Sequence, residues 1–291
     1  MADEPINKTM DREDLARPDC AAVIEQLADL RRRLAAAGVA HSSWYGQLAG
    51  PSGLWERVNR GPGYRPWPGW DGDDRVPWFL LWEIAWLAVH TPLQPGQRVL
   101  DLGGAGSLFS CYLADRGCEV TSVDLDERLT AHADRLAAAM GWTMRGLSGD
   151  MAELDLPDVS FDHVFSVCVL EHLPVPRRRR AAGQWRRLLS PGGTVGLTFD
   201  YQCPDAGARI DRPADLQRQI IEPSGLAVRG NAEFLDDGTR YLESPHYAGF
   251  GRAARLAAMA SAWMRGRIRR SRLLLRHRHY TFGALFLQKP L

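Results

Sequence analysis

The sequence predicts an α/β protein built on a doubly wound, mostly parallel sheet, with a helical N-terminal cap. Three observations predict it. Between Pro95 and about Asp200, short Val- and Leu-rich runs alternate with helix-like stretches, a rhythm that implies parallel strands with helices on both faces. A glycine-rich turn, Gly103 to Gly106, follows the first of those runs at once. Two further strand-like runs lie in the tail, separated by a helical insertion.

Residues 1–18 are polar and are expected to be loose. From Asp19 to about Ala37, the residues Ile24, Leu27, Leu30 and Leu34 recur three or four apart, the spacing of a helix with one apolar stripe. Arg31, Arg32 and Arg33 sit beside the stripe, on faces that can stay in water. Residues 44–86 hold seven of the ten tryptophans: Trp44, Trp55, Trp67, Trp70, Trp78, Trp82 and Trp86. Two of them stand in GPGYRPWPGWDGDD, whose Gly and Pro forbid a continuous helix or strand. The segment reads either as a lid over an aromatic or amphipathic substrate or as a cap glued down by buried indoles. Residues 1–94 are thus the expected cap and 95–291 the main domain.

In that domain Arg98–Leu102 is the first strand, and a helix runs from the glycines to Asp115. Glu119–Val123 is the second strand, ended by Asp124, and a helix continues to Met140. A third strand is expected near Met144–Leu147 and a fourth at His163–Val169. A basic helix around Arg178–Leu189 meets a turn, Ser190-Pro191-Gly192-Gly193, before the fifth strand at Thr194–Phe199. Leu226–Arg229 and Tyr280–Gln288 supply a sixth and a seventh, with a basic helical insertion at about 248–275 between them.

Composition narrows the function. The 291 residues are 45% hydrophobic and 24% charged, an ordinary globular mix that excludes a disordered or fibrous chain. Net charge is +1, so no global field draws nucleic acid or a membrane surface. Five cysteines without CxxC spacing read as reduced thiols, and the acidic, polar start resembles no secretory signal; the expectation is a cytoplasmic protein. The longest apolar stretch, Trp78 to Val89, contains Glu83 and falls short of the roughly twenty residues a membrane span needs.

The strongest chemical signal is VLDLGGAGS, Val99 to Ser107. A strand delivers Asp101, glycines let the backbone approach a ligand, and the next helix offers its N-terminal amides. Asp124 follows about twenty residues later, the spacing at which a carboxylate reaches the hydroxyls of an adenosine ribose. A nicotinamide enzyme would show G-x-G-x-x-G here. The third glycine is missing in either register, where Phe109 or Leu108 stands, which favours an adenosine ligand without a diphosphate.

These residues resemble the class I S-adenosylmethionine-dependent methyltransferases. The likeness runs from Val99 to about Phe199. VLDLGGAGS resembles the first motif, D-x-G-x-G-x-G, with Ala105 and Ser107 in place of two glycines. The resemblance implies a Rossmann-like domain with seven strands, the last, Tyr280–Gln288, antiparallel. It implies S-adenosylmethionine as cofactor, held by Asp101, Gly103, Gly104, Ala105 and Gly106, with Asp124 on the ribose. Leu125 would pack on adenine, and Asp150 and Met151 would read its edge. FDHVFSVCVLEHL places Glu171 and His172 at the exit of the fourth strand, and His172 is the expected catalytic base if the acceptor is a hydroxyl. Asp200 and Tyr201 leave the fifth strand on the same rim. Glu171, His172 and Asp200 are too scattered a ligand set to predict a metal, and none is expected.

Two basic clusters stand out: Arg177 to Arg180, and nine arginines across 251–280 without one acidic residue. They read as solvated faces, as a surface for an anionic partner, or as an RNA contact. The cap and insertion favour a small-molecule acceptor over nucleic acid, and pairing into a homodimer stays open. An RNA methyltransferase and a non-catalytic cofactor-binding module are the alternatives.

Overall fold

The computed structural model describes residues 6–43, 46, 48, 76–203, 210–243 and 279–291. Trp44, Trp55, Trp67, Trp70 and the 248–275 insertion lie outside the described residues.

The predicted alternation is present. Strands β1 (Lys8–Thr9), β2 (Arg98–Leu102), β3 (Glu119–Asp124), β4 (Met144–Ser148), β5 (Phe161–Val167), β6 (Leu189–Tyr201), β7 (Ala227–Val228), β8 (Leu242–Glu243) and β9 (His279–Gln288) join one sheet. Its continuous row is β1-β9-β6-β5-β2-β3-β4, with the short β7 and β8 also pairing with β9. Strands β2 to β6 run parallel, and β9 is antiparallel to β6. Seven strands are expected from the sequence; β1 and β8 add two, each of two residues.

Helices α1 (Pro18–Ala36), α2 (Trp78–Val89), α3 (Leu108–Asp115) and α4 (Glu127–Met140) contribute to one apolar layer, which contains Val99 and Val120. Helix α5 (Val175–Leu188) and the turns around Leu216 and Ile220 pack in a second layer, which contains Leu100 and Leu102. Alternate β2 side chains therefore serve opposite faces, as the period of a strand requires. In α1 the predicted stripe of Ile24, Leu27, Leu30 and Leu34 is buried throughout.

Three readings need correcting. The segment before α1 is not loose from residue 6 onward: Lys8 and Thr9 pair with Ala284 and Gly283 of β9, and a 3-10 turn spans Arg12–Ala16. Backbone pairing and the Asn7 side chain hold it, Asn7 Oδ1 accepting the Phe286 N–H at 2.7 Å. Ser190–Gly193 is not a turn before a strand. It lies inside β6 as an irregularity, where pairing with β5 steps from Phe161–Leu189 to His163–Thr194. The fourth predicted strand ends at Val167, because Cys168 takes φ +50 and turns the chain out of the sheet.

Of the tryptophans described, Trp82 and Trp86 are fully buried and stack with ring centroids 5.6 Å apart. Trp82 Nε1 donates to Asp14 at 2.8 Å and Trp86 Nε1 to the Ile6 carbonyl at 3.0 Å. These two indoles are core residues, not part of a surface over the cleft. No described helix is long and apolar enough to cross a membrane.

His163 gives the sheet a pH dependence. Its ring is buried, with Nδ1 2.7 Å from the Thr194 hydroxyl and Nε2 3.1 Å from Gln97 Oε1, contacts a neutral imidazole satisfies. Burial lowers it to about 4, below the ordinary 6.5. Between those values the folded chain binds fewer protons than the unfolded chain, so this contribution is full above pH 6.5 and is lost as pH falls toward 4. The gap amounts to about 3 kcal/mol. Urea unfolding at pH 7 and pH 4.5 is expected to show that loss, and His163→Asn to show a shallower dependence over the same interval.

Candidate active site

The chain runs outward from β2 in one direction through β3 and β4, then returns to β2's other side with β5 and β6. Ligands bind outside the carboxyl ends of the strands at such a reversal. A cleft, open to solvent, lies there. Its walls include Asp101, Gly103, Gly104, Ala105 and Asp124, together with Ser42 and Ser43 from the N-terminal segment and Leu80 and Ile84 from α2.

The turn is built around Asp101, which is 1% exposed. The Ser110 hydroxyl donates to its carboxylate, and the Ser122 hydroxyl lies 3.5 Å from the same oxygen. Burial raises the Asp101 carboxyl to about 6; the serine bonds act against that rise, and the Asp124 charge adds to it. Gly103 takes φ +85, and a Cβ there would run into the Val169 side chain. A Cβ at Gly104 would press against the Asp101 carboxylate at 3.3 Å. Gly106 takes φ +70 against His132. Ser107 caps α3, accepting the Ser110 N–H at 3.1 Å, so the start of that helix faces the cleft.

Asp124 ends β3 and lines the opposite side of the turn. It does not cap α4: Asp126 does that, accepting the Arg128 N–H. Asp124 Oδ1 accepts the Asp126 N–H at 3.0 Å. Leu125 beside it is 74% exposed, an apolar side chain standing at the rim.

Asp150 and Met151 follow β4, and the Gly149 N–H donates to the Asp124 carbonyl at 3.0 Å, tying the two exits together. Asp150 Oδ1 accepts the Ala152 N–H, while Oδ2 pairs with Arg177. Met151 is buried. Gly106, Leu125, Asp150 and Met151 are not among the residues lining the cleft.

At the exit of β5, the 3-10 turn Leu170–His172 splits the expected pair. The His172 side chain is 64% exposed, with Nε2 4.0 Å from Glu171 Oε1, whereas the Glu171 side chain is fully buried. Burial raises Glu171 to about 7 and Glu83, which reaches across from α2, to about 8. Tyr201 is buried beneath Phe199 and Phe234, so its ring belongs to the core.

Sequence reasoning missed several residues of the site. Ser42 hangs over the turn, its N–H donating to the Gly106 carbonyl at 2.7 Å. No local motif marks such a long-range contact. Glu83 did carry a signal, as the lone acid in a twelve-residue apolar helix.

Arg178 was hidden in a run of four arginines, and the structure separates them. Arg177 pairs with Asp150, Arg179 donates to the Arg218 carbonyl, and Arg180 pairs with Glu153 at 2.7 Å. Arg178 is fully buried and donates to the carbonyls of Leu170 and Glu171, each at 2.8 Å, and to Gln219. It clamps the loop that carries Glu171 and His172. Arg178→Met strands two enclosed carbonyls and is expected to cost about 2–4 kcal/mol in chemical denaturation, whereas Arg180→Ala, at an exposed pair, stays within about 0.5 kcal/mol.

Comparison with known proteins agrees with this geometry. Residues 99–193 match the family model described as a methyltransferase domain. The ubiquinone biosynthesis O-methyltransferase of Pseudomonas aeruginosa is 32% identical over 146 residues, covering 46% of this chain and 62% of the relative. Its counterpart in Xanthomonas campestris pv. campestris is 33% identical over 177 residues, covering 59% and 62%. A sterol 24-C-methyltransferase of Gibberella zeae is 30% identical over 115 residues, covering 38% of this chain and 30% of the relative. The chain therefore spans about three fifths of the length of the O-methyltransferases it matches.

Among solved structures, the 4+2 cyclase SpnF superposes with a TM-score of 0.52 at 18% identity, covering 100% of both chains. YcgJ of Bacillus subtilis superposes at 0.50 with 16% identity, covering 72% of this chain and 98% of that one. These two likenesses speak for the fold. With the ordered motifs, the glycine turn and the acid at the end of β3, these matches show that residues 99–193 are similar to a methyltransferase domain.

Proposed function

We propose that this protein transfers a methyl group from S-adenosylmethionine to a small-molecule acceptor. The observation that carries the reading is Asp124 and the Gly103–Ala105 turn on the walls of one cleft. The residues fit that cofactor: an acid for the ribose hydroxyls, a turn whose glycines admit close backbone approach, and apolar side chains around them. When bound, the sulfonium supplies a methyl group already activated by its positive charge.

The chain's own work is then alignment and exclusion of water. Asp101 holds the turn, and Gly103, Gly104, Ala105 and Gly106 lend it their backbone. Asp124 accepts the ribose hydroxyls. Leu80 and Ile84 wall the cleft from α2. The rim at Leu125, Asp150 and Met151 takes the adenine, with Asp150 giving up Arg177 or sharing its carboxylate with it. His172, exposed on the clamped loop, accepts the proton of a hydroxyl acceptor. The reading is of a cytoplasmic enzyme, supported by five free cysteines.

The RNA alternative rests on the Arg-rich insertion, which lies outside the described residues; Arg177 to Arg180 add nothing to it, because three of them face acids or a backbone carbonyl and the fourth is buried. The relatives' names point to quinone and sterol chemistry instead, and a small, apolar acceptor is proposed on that basis. That SpnF is named a cyclase shows why activity needs its own test.

Melting curves with S-adenosylmethionine, S-adenosylhomocysteine and NADH provide it. Ligand at a hundred times its Kd stabilises by about 2.7 kcal/mol, a rise of several degrees. The two sulfur ligands are expected to give that rise and NADH none. Asp124→Ala is expected to weaken their binding about ten- to a hundred-fold, the loss of a charge-assisted hydrogen bond. No shift with either sulfur ligand would remove the catalytic reading and favour the non-catalytic module, which binds cofactor weakly or not at all.

A further inference from the structure

Four side chains with metal-ligating chemistry meet beside the cleft, at the carboxyl ends of β5 and β6. One ligand atom each from Cys168, Glu171 and Asp200 lies within 4.8 Å of the others. Glu83 reaches Cys168 from α2, the thiol donating to its Oε1 at 2.6 Å, but stands outside the set of three whose ligand atoms all lie within 4.8 Å. The group thus gathers donors from a helix, a bend and a strand.

A second observation is independent of that cluster. Glu171 Oε1 accepts the Asp200 N–H at 3.2 Å, but Glu171 Oε2 is enclosed and has no hydrogen-bond partner among the described residues. The Glu171 residue is 0% exposed and Glu83 1%. The buried Arg178 acts on the Glu171 charge from a distance, while its guanidinium donates to the Leu170 and Glu171 carbonyls and to Gln219. An enclosed carboxylate oxygen without a donor is costly, and a bound cation is one way to satisfy it.

We propose that Cys168, Glu171 and Asp200, with Glu83 as a fourth donor, bind one divalent transition-metal ion of the zinc type. A thiolate among the donors argues against magnesium and calcium, which take oxygen ligands. Donor atoms around a tetrahedral zinc ion stand about 3.4–3.6 Å apart, so Cys168, Glu171 and Asp200 need to close in by about 1 Å and Glu83 has to swing further to complete the set. On binding, the Cys168 thiol gives its proton to solvent, as do those carboxyls that hold one, and bonds to the metal form in their place. The ion ties α2 to the ends of β5 and β6, and no step of methyl transfer is assigned to it. The sequence offered Glu171, His172 and Asp200 as a scattered set. The fold turns His172 outward and brings in Cys168 and Glu83 instead.

Cobalt(II) is the probe, because a thiolate ligand gives a charge-transfer band in the near ultraviolet. Chelator-treated full-length protein, titrated with cobalt, is expected to bind one equivalent and to show that band. Cys168→Ser, which leaves the other four cysteines in place, should abolish the band. Glu171→Gln should weaken binding at least about tenfold while melting no lower than wild type without metal, since it removes an enclosed charge. Zinc should raise the melting temperature of wild type and not of Cys168→Ser. A band that survives Cys168→Ser, or no binding at millimolar cobalt, would overturn the site. Because these readouts do not involve S-adenosylmethionine, they stand apart from the test of methyl transfer.

Discussion

The site depends on one buried carboxyl. Asp101 sits near the end of β2 under a turn whose second glycine, given a Cβ, would press against its carboxylate. Burying an acid there is unfavourable, and two serine hydroxyls, from α3 and β3, offset part of the cost. In return the first turn of α3, the exit of β2 and the exit of β3 share one anchor. The cleft walls are therefore set by a small polar network inside an apolar core, and such a network is rigid when every member is satisfied.

Around that anchor the structure is layered by function. The β3 and β4 exits present Asp124, Leu125 and Asp150, the side assigned to the adenosine. The β5 and β6 exits carry the exposed His172, the proposed base, beside the buried Glu171 and the half-buried Asp200. Helix α2 bridges the two halves: Leu80 and Ile84 line the cleft while Glu83 reaches the β5 bend. The N-terminal region is accordingly more than a cover. Its first strand extends the sheet at β9, and Ser42 is bonded to the glycine turn itself.

Much of this was legible in the residues because it is local. Strand β2 is a Val and Leu run closed by glycines, and β9 is a Phe- and Leu-rich run near the end of the chain; each declares itself within a few positions. What was not legible is decided by distant partners. Lys8 and Thr9 have no strand signature, and only the free edge of β9 makes them one. Four consecutive arginines look alike in sequence, yet one is buried against carbonyls seven or eight residues back and the others face outward. His172 was the conspicuous candidate by chemistry, while its neighbour Glu171 holds the more unusual environment, which only burial creates.

The most direct measurement is a crystal structure of the protein soaked or grown with S-adenosylhomocysteine. With this cleft as the cofactor site, the ribose hydroxyls are expected on the Asp124 carboxylate, the ligand backbone against Gly103 to Ala105, and adenine beside Leu125. A ligand bound elsewhere, or a site in which Asp124 makes no contact with it, would contradict the assignment of this cleft.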